Sequence, residues 1–349
     1  MALDAGTRDL LAFGTVIPAH PLALDSNRRL DERRQRALTR YYVDAGAGGI
    51  AVAVHTTQFQ IREPQIGLYK PVLELAAEEL NTRVADRPFV RIAGVAGPTA
   101  QAVAEAELAH ELGYDAVLVS PGGLADRDVP YLLERTAAVG EVLPVIGFYL
   151  QEVVGGRYLP RSYWRALADQ ESTVAVKAAP FDRYRTLELV QGVSDSDRCD
   201  EIALYTGNDD NIVADLLTPY EIGGTTRRFV GGLLGHWAAW TRSAVELLDT
   251  VHRARQGDRA AWCRAAGFAT ATTDANAAMF DVRNNFRGVI AGVHEVLRRQ
   301  GLLQGTWCLD PDEGLSPDQS EELDRVIAAH PWLQAEDSFI ATHLEGWLS

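Results

Sequence analysis

Residues 143–180 read LPVIGFYLQEVVGGRYLPRSYWRALADQESTVAVKAAP. Two short β-rich runs, Val145–Tyr149 and Thr173–Lys177, bracket a helical stretch, Arg161–Ala168. The runs are apolar almost throughout instead of alternating, as expected of parallel strands buried on both faces. On either side, similar runs fall at Leu11–Ile17, Gly49–Val54, Val90–Val95, Ala116–Ser120 and Ile202–Thr206. Helical patterns separate them at Asp31–Ala45, Thr99–Leu112 and Asp182–Val190. An eighth strand is expected between Gly223 and Gly232, although two adjacent arginines are unusual in a barrel core. The series predicts an α/β protein, a (β/α)8 TIM barrel. The alternative, a doubly wound open sheet, would carry a Gly-rich turn after its first strand, and none is present.

From about Leu233 onward the pattern turns helical, at Leu234–Arg255, Arg259–Met279, Val289–Gln300 and Pro317–His330. The expected organisation is therefore a barrel over residues 1–235 and a C-terminal helical extension over 236–349. With 33 Lys+Arg against 48 Asp+Glu among 349 residues, the formal charge is −15. That balance argues against a nucleic-acid partner, whose phosphates attract basic surfaces. The three cysteines, Cys199, Cys263 and Cys308, lack CxxC spacing, which points to a reducing compartment and no metal cluster. No apolar run approaches the roughly 20 residues that span a membrane. The N-terminal residues lack the basic-then-apolar order of a signal peptide. A cytoplasmic protein with no membrane partner is expected.

In barrel enzymes the reacting groups gather at the C-terminal ends of strands. There Lys177 closes the run Thr-Val-Ala-Val-Lys. An ammonium at the end of an apolar strand loses hydration, which lowers its pKa and makes it a better amine nucleophile toward a carbonyl. The alternative is a lysine that leans out to solvent or pairs with a loop carboxylate. Tyr149 closes the preceding run; its phenol either faces the same mouth and shuttles protons, or packs in the core. Thr56-Thr57 follows the second strand and offers hydroxyl and N–H groups suited to a carboxylate. His20 and His55 end neighbouring strands, where they read as contacts to a substrate hydroxyl, as metal ligands lacking a third partner, or as packed side chains. Asp209-Asp210 reads as a helix cap, and the aromatics around His236–Trp240 as core or interface.

Together these positions resemble the dihydrodipicolinate synthase / N-acetylneuraminate lyase family of class I aldolases. Ala47-Gly48-Gly49-Ile50 leading to His55-Thr56-Thr57-Gln58 is similar to the family's Gly-x-x-Gly-Ile…Gly-Thr-Thr-Gly-Glu. Tyr149 resembles its strand-five tyrosine, and Val174-Ala175-Val176-Lys177 its Val-x-Gly-Ile-Lys; the separation of 177 − 149 = 28 residues suits consecutive strands. Thr206-Gly207-Asn208-Asp209 resembles the Gly-x-Asp after strand seven.

The resemblance implies a lysine imine with pyruvate or a related 2-oxo acid, an enamine that adds to an aldehyde or the reverse cleavage, and no separate cofactor. It implies Lys177 as nucleophile, Tyr149 and Thr57 as proton relay, Thr56 and Thr57 on the 2-oxo carboxylate, and Gly207 in the substrate site. It also implies a homo-oligomer, dimer or tetramer. Departures are equally visible. Gln58-Phe59 stands where the family has Gly-Glu, and Ser120-Pro121-Gly122-Gly123-Leu124 where lysine-biosynthesis members have Pro-Pro-Tyr-Tyr. The arginine that binds the second substrate is missing at its usual spacing, with Arg157 as its replacement after a longer loop. These changes argue against dihydrodipicolinate synthesis itself. Three readings stand: a divergent Schiff-base aldolase, lyase or dehydratase; a relative that binds a 2-oxo acid without turnover; and a metal-assisted lyase.

Overall fold

A computed structural model describes residues 2–349. Eight parallel strands alternate with helices along the chain in the manner of a (β/α)8 barrel, and helices come after them. In chain order the strands are β1 (Val16–Pro18), β2 (Gly49–Val52), β3 (Val90–Val95), β4 (Ala116–Val119), β5 (Val145–Leu150), β6 (Thr173–Ala179), β7 (Ala203–Thr206), β8 (Tyr220–Ile222), β9 (Thr225–Arg227) and β10 (Phe229–Leu234). Strands β8 and β9 form a separate antiparallel hairpin. The chain divides into two compact units, Met1–Thr15 with Pro88–Leu233, and Val16–Arg87 with Leu234–Ser349.

In the first unit the parallel order is β3-β4-β5-β6-β7-β10. Every residue of β5 is buried, and only Val174 of β6 is less than fully so, which explains why these runs do not alternate in polarity. The pairing of β5 with β6 contains a one-residue shift. Val145 faces Thr173, but Ile146 faces Ala175, and from there Phe148 is level with Lys177 and Tyr149 with Ala178. Because side chains alternate faces along a strand, a shift of one residue exchanges the two faces. The loops leaving β6 and β7 are tied together by a buried polar network. Asn208 accepts from the Phe181 N–H at 3.1 Å and donates to Thr186 and to the buried Asp215, which also receives the Thr206 hydroxyl at 2.7 Å.

Two expectations are corrected here. The first run, Leu11–Ile17, is a helix over Ala5–Phe13 and a strand only from Val16, with Asp4 capping the helix through the Thr7 N–H. The arginines of the eighth run lie outside any barrel strand. Gly223 and Gly224, with φ of +58° and +86°, make the two-residue turn of the β8–β9 hairpin. Arg227, at its end, reaches Asp200 and the Ile202 carbonyl. The apolar strand begins only at Phe229.

In the second unit β1 and β2 run parallel, joined through Ala19 and Ala51, and helix Glu32–Asp44 is capped by Asp31. Everything from His236 on is helical or loop, including a final helix, Asp337–Trp347, beyond those expected. Buried Glu336 draws this region together by accepting from the Tyr41 hydroxyl at 2.5 Å and the Ser243 N–H at 2.9 Å.

Candidate active site

In the first unit Lys177 projects from β6 with only 8% of its surface exposed. Its Nζ lies 4.4 Å from the centre of the Phe148 ring, the level partner on β5. Burial lowers the lysine pKa from its usual 10.5 to about 8, while the Asp209 carboxylate pulls it the other way. Such a shift raises the free-amine fraction at neutral pH from about one in 3,000 to about one in ten. A cation above an aromatic face keeps some stabilisation, so the ring tempers this loss of charge.

Gly207 follows β7 and is held by its N–H to the Ala178 carbonyl at 2.7 Å. A Cβ at this position would sit 2.5 Å from Lys177 Cε and 2.9 Å from Ala179 Cβ. Absence of a side chain at residue 207 is thus what leaves room for the lysine stem. Asp209, also buried, comes two residues later. Lysine, glycine, aspartate and phenyl ring form one cluster at consecutive strand ends.

Tyr149 does not belong to it. Its ring points to the other face of β5 and stacks on Trp164 of helix Arg161–Ala168, with centroids 5.4 Å apart and planes 24° from parallel. Burial pushes its phenol up to about 12. The expectation that this phenol shares a mouth with Lys177 is therefore corrected. Unshifted pairing from Val145 and Thr173 would have placed residues 149 and 177 level, but the extra residue on β6 substitutes Phe148. Arg157 is likewise engaged elsewhere, its Nη1 donating to the carbonyls of Leu124, Ala125 and Arg127 in the neighbouring loop after β4. It stabilises the segment after β4, and that use competes with binding a second substrate.

The remaining candidates lie in the second unit. The Thr56 hydroxyl donates to the Ala19 carbonyl at 2.8 Å and the Thr57 hydroxyl to the His20 carbonyl at 2.6 Å. Thr57 Oγ1 also accepts from the Val54 N–H at 3.2 Å. Both hydroxyl protons are thus engaged in tying the end of β2 to the end of β1, and neither is free for a carboxylate. His20 is fully buried. Its Nε2 meets the Thr39 hydroxyl at 2.9 Å, and its Nδ1 meets the Pro21 carbonyl at 2.8 Å and the Gln35 amide nitrogen at 3.0 Å. Burial drives its pKa down to about 4. This is a packed, neutral imidazole, which corrects the reading of His20 as a substrate contact. His55 is half-buried beside Phe59, with ring centres 6.0 Å apart.

Sequence reasoning missed Phe148 and gave Asp209 only a capping role. Gln58 is a further surprise. It takes φ +69°, a conformation that favours glycine, although its side chain is buried and accepts from the Leu309 N–H at 2.6 Å. A positive-φ backbone after the Thr-Thr pair is thus held here by a residue other than glycine. Among the described residues, no group of three or more His, Cys, Asp or Glu is placed to hold a metal ion. No helix among them is long and apolar enough to cross a membrane.

No protein-family model matches the chain, and no curated protein matches it in sequence. Solved structures do match in fold. A dihydrodipicolinate synthase from Oceanobacillus iheyensis has a TM-score of 0.72 at 18% identity, covering 93% of this chain and 99% of that one. YagE, a prophage protein of the dihydrodipicolinic acid synthase family from E. coli K12 solved with pyruvate, has a TM-score of 0.74 at 18% identity, covering 91% and 98%. A catalytic lysine mutant of the Ruminococcus gnavus sialic acid aldolase has a TM-score of 0.72 at 16% identity, covering 94% and 98%. At such identities the likeness establishes a shared fold.

Proposed function

We propose that this chain is a divergent member of the dihydrodipicolinate synthase / N-acetylneuraminate lyase family, a class I aldolase or lyase acting on pyruvate or a related 2-oxo acid. The observation that carries the reading is Lys177: a buried amine at a strand end, with its pKa lowered to about 8 and a glycine making room for it. The pyruvate bound to YagE and the catalytic lysine named for the sialic acid aldolase support the same chemistry.

In the proposed reaction the free amine of Lys177 attacks the ketone carbon. The carbinolamine hydroxyl takes up a proton from solvent and departs as water, with the lysine nitrogen keeping the carbon, and a protonated imine results. Its positive charge withdraws electrons from the neighbouring carbon, so that carbon loses a proton to give an enamine, or receives the electron pair of a breaking bond. Phe148 cannot carry those protons. Asp209 is the carboxylate whose field reaches Lys177, and we assign it the proton transfers that a phenol would otherwise perform.

A second reading has its own support: with a phenyl ring beside the lysine, the chain binds a 2-oxo acid without turning it over. Borohydride reduction in the presence of pyruvate, followed by peptide mass spectrometry, tests the first step common to both. An adduct on Lys177 is expected, and none with any 2-oxo acid tried would refute the proposal. Product formation then separates turnover from binding.

A further inference from the structure

Strands β5 and β6 of the first unit run on past Phe148 and Lys177, and the residues there differ in character from the lysine. Leu150 is level with Ala179, one step beyond the level pair Phe148 and Lys177. Side chains two apart on a strand share a face, so Leu150 and Ala179 stand on the face of Phe148 and Lys177, while Tyr149 turns to Trp164. Gly207 adjoins the same layer, since a Cβ there would come 2.9 Å from Ala179 Cβ. So does Gly122 in the loop after β4, where a Cβ would come 3.6 Å from Leu150 Cδ2 and 3.2 Å from Ser120 Oγ. At Gly123 a Cβ would meet nothing within 4 Å. The layer beyond the lysine is thus a leucine, an alanine and two glycines, with room left beside the loop after β4.

Phe181, half-buried and two residues past Ala179, takes φ +53°, a conformation that residues with side chains rarely adopt. Its N–H is fixed by Asn208, whose amide in turn donates to buried Thr186 and Asp215. Backbone strain held by surrounding structure clusters at functional sites, and here it sets an aromatic residue where the lysine strand ends. Charge points the same way. Arg157 donates to carbonyls of the loop after β4, and Arg183 is held by Asp215 at 2.6 Å. Asp209 is a buried carboxylate acting on Lys177. A second negative charge on a substrate would therefore face Asp209 and find both arginines engaged.

We propose that the Lys177 site takes a 2-oxo acid whose chain beyond the ketone is apolar and uncharged, received against Leu150 and Ala179 in the space left at Gly122. Such a preference rests on Lys177 being the imine-forming amine, as proposed above, and names the chain that its substrate carries.

Two acids of equal length test it, 2-oxohexanoate and 2-oxoadipate, which differ only in ending on a methyl group or a carboxylate. Borohydride trapping on Lys177 of the full chain is followed by mass spectrometry at rising acid concentration, with pyruvate alongside. Each methylene removed from water is worth about fourfold in binding, so 2-oxohexanoate is expected to half-saturate at a concentration about tenfold below both pyruvate and 2-oxoadipate. Leu150→Gln reduces the preference for 2-oxohexanoate over 2-oxoadipate about fivefold. Gly122→Leu, which fills the space, weakens 2-oxohexanoate more than pyruvate. Both readouts are ratios between acids on one protein, so a variant that merely lost folded material would leave them unmoved. Pyruvate trapped on Lys177, with 2-oxoadipate half-saturating as low as 2-oxohexanoate, overturns the apolar chain and leaves Lys177 as the imine-forming amine. So do ratios that both variants leave at the native value. Trapping of no 2-oxo acid at all overturns that role of Lys177, and the apolar chain with it.

Discussion

Gly207→Ala is the sharpest change available at Lys177, because its effect can be worked from contacts. The new methyl would start 2.5 Å from Lys177 Cε, 2.9 Å from Ala179 Cβ and 3.3 Å from the Ala178 carbonyl oxygen. Carbon atoms prefer separations of about 3.5–4.0 Å, so the lysine stem must retreat by about 1 Å. Residue 207 does not need the left-handed backbone that glycine favours, so the substitution adds a clash without backbone strain. The stem is a flexible chain and yields at a rotamer cost of about 1 kcal/mol, but Ala179 Cβ is fixed to its backbone, so the strand end must give as well. Stability should therefore fall by about 1–3 kcal/mol, as overpacking does. Reactivity of the folded protein should fall too, since a misplacement of about 1 Å costs about 100-fold in rate. The assay is borohydride trapping with pyruvate near pH 8, followed by intact-protein mass over time, with urea unfolding in parallel. A trapping rate within about threefold of the native protein, measured where urea unfolding shows both fully folded, would refute the reasoning that this glycine makes room for a reacting lysine.

Other consequences can be checked with the same tools. Trapping of Lys177 should accelerate as pH rises through about 8 and then level off, because the free amine is the nucleophile. In Asp209→Asn the midpoint should move lower, since the carboxylate that favours the ammonium is gone; a midpoint near the usual lysine range would contradict the burial argument. Tyr149→Phe should leave trapping within about twofold of native, because the phenol faces Trp164. A hundredfold loss would place that tyrosine in the relay after all. His20 is held near 4 against an ordinary 6.5, so the unfolded chain binds a proton that the folded chain refuses. Its contribution to stability is complete above about pH 6.5 and is lost as pH falls toward 4. His20→Gln should remove that part of the acid sensitivity, measured as the difference between native and variant urea midpoints at pH 7 and pH 5.

Much of the barrel was legible because buried parallel strands leave long apolar runs, and Lys177 was legible as the lone cation closing one of them. Face assignment was another matter. Val145 and Thr173 stand level at a separation of 28 residues, the same separation that links Tyr149 to Lys177, so unshifted pairing makes the tyrosine the neighbour. One extra residue on β6 defeats that count, and an apolar run that is buried on both faces carries no alternation to betray it. The flanks offered one clue. Gly147 lies on the same face as Tyr149, where a Cβ would meet Leu167 at 2.4 Å, the mark of a face pressed against a helix. His20 and Arg157 failed as site residues for a different reason. Their partners, Thr39 in one case and the carbonyls of residues 124–127 in the other, come from segments distant in sequence.

A phenyl ring at the position level with Lys177, where the proposed family chemistry would use a phenol, changes which steps the site can assist. Imine formation needs a free amine, and burial against an aromatic face that cannot accept a proton still provides one. Later steps need a group that returns protons to carbon or oxygen, and the carboxylate acting on Lys177 is Asp209. A carboxylate is a weaker base than a phenolate, so it abstracts protons less readily but exists in its basic form across the neutral range. Proton removal from the carbon next to the imine is therefore the step that suffers most. Condensation begins with that removal, cleavage ends on its reverse, and elimination passes through it, so all three depend on the same carboxylate. Within the proposed family chemistry, imine formation is the step this site retains in full, and Asp209 limits whatever follows it.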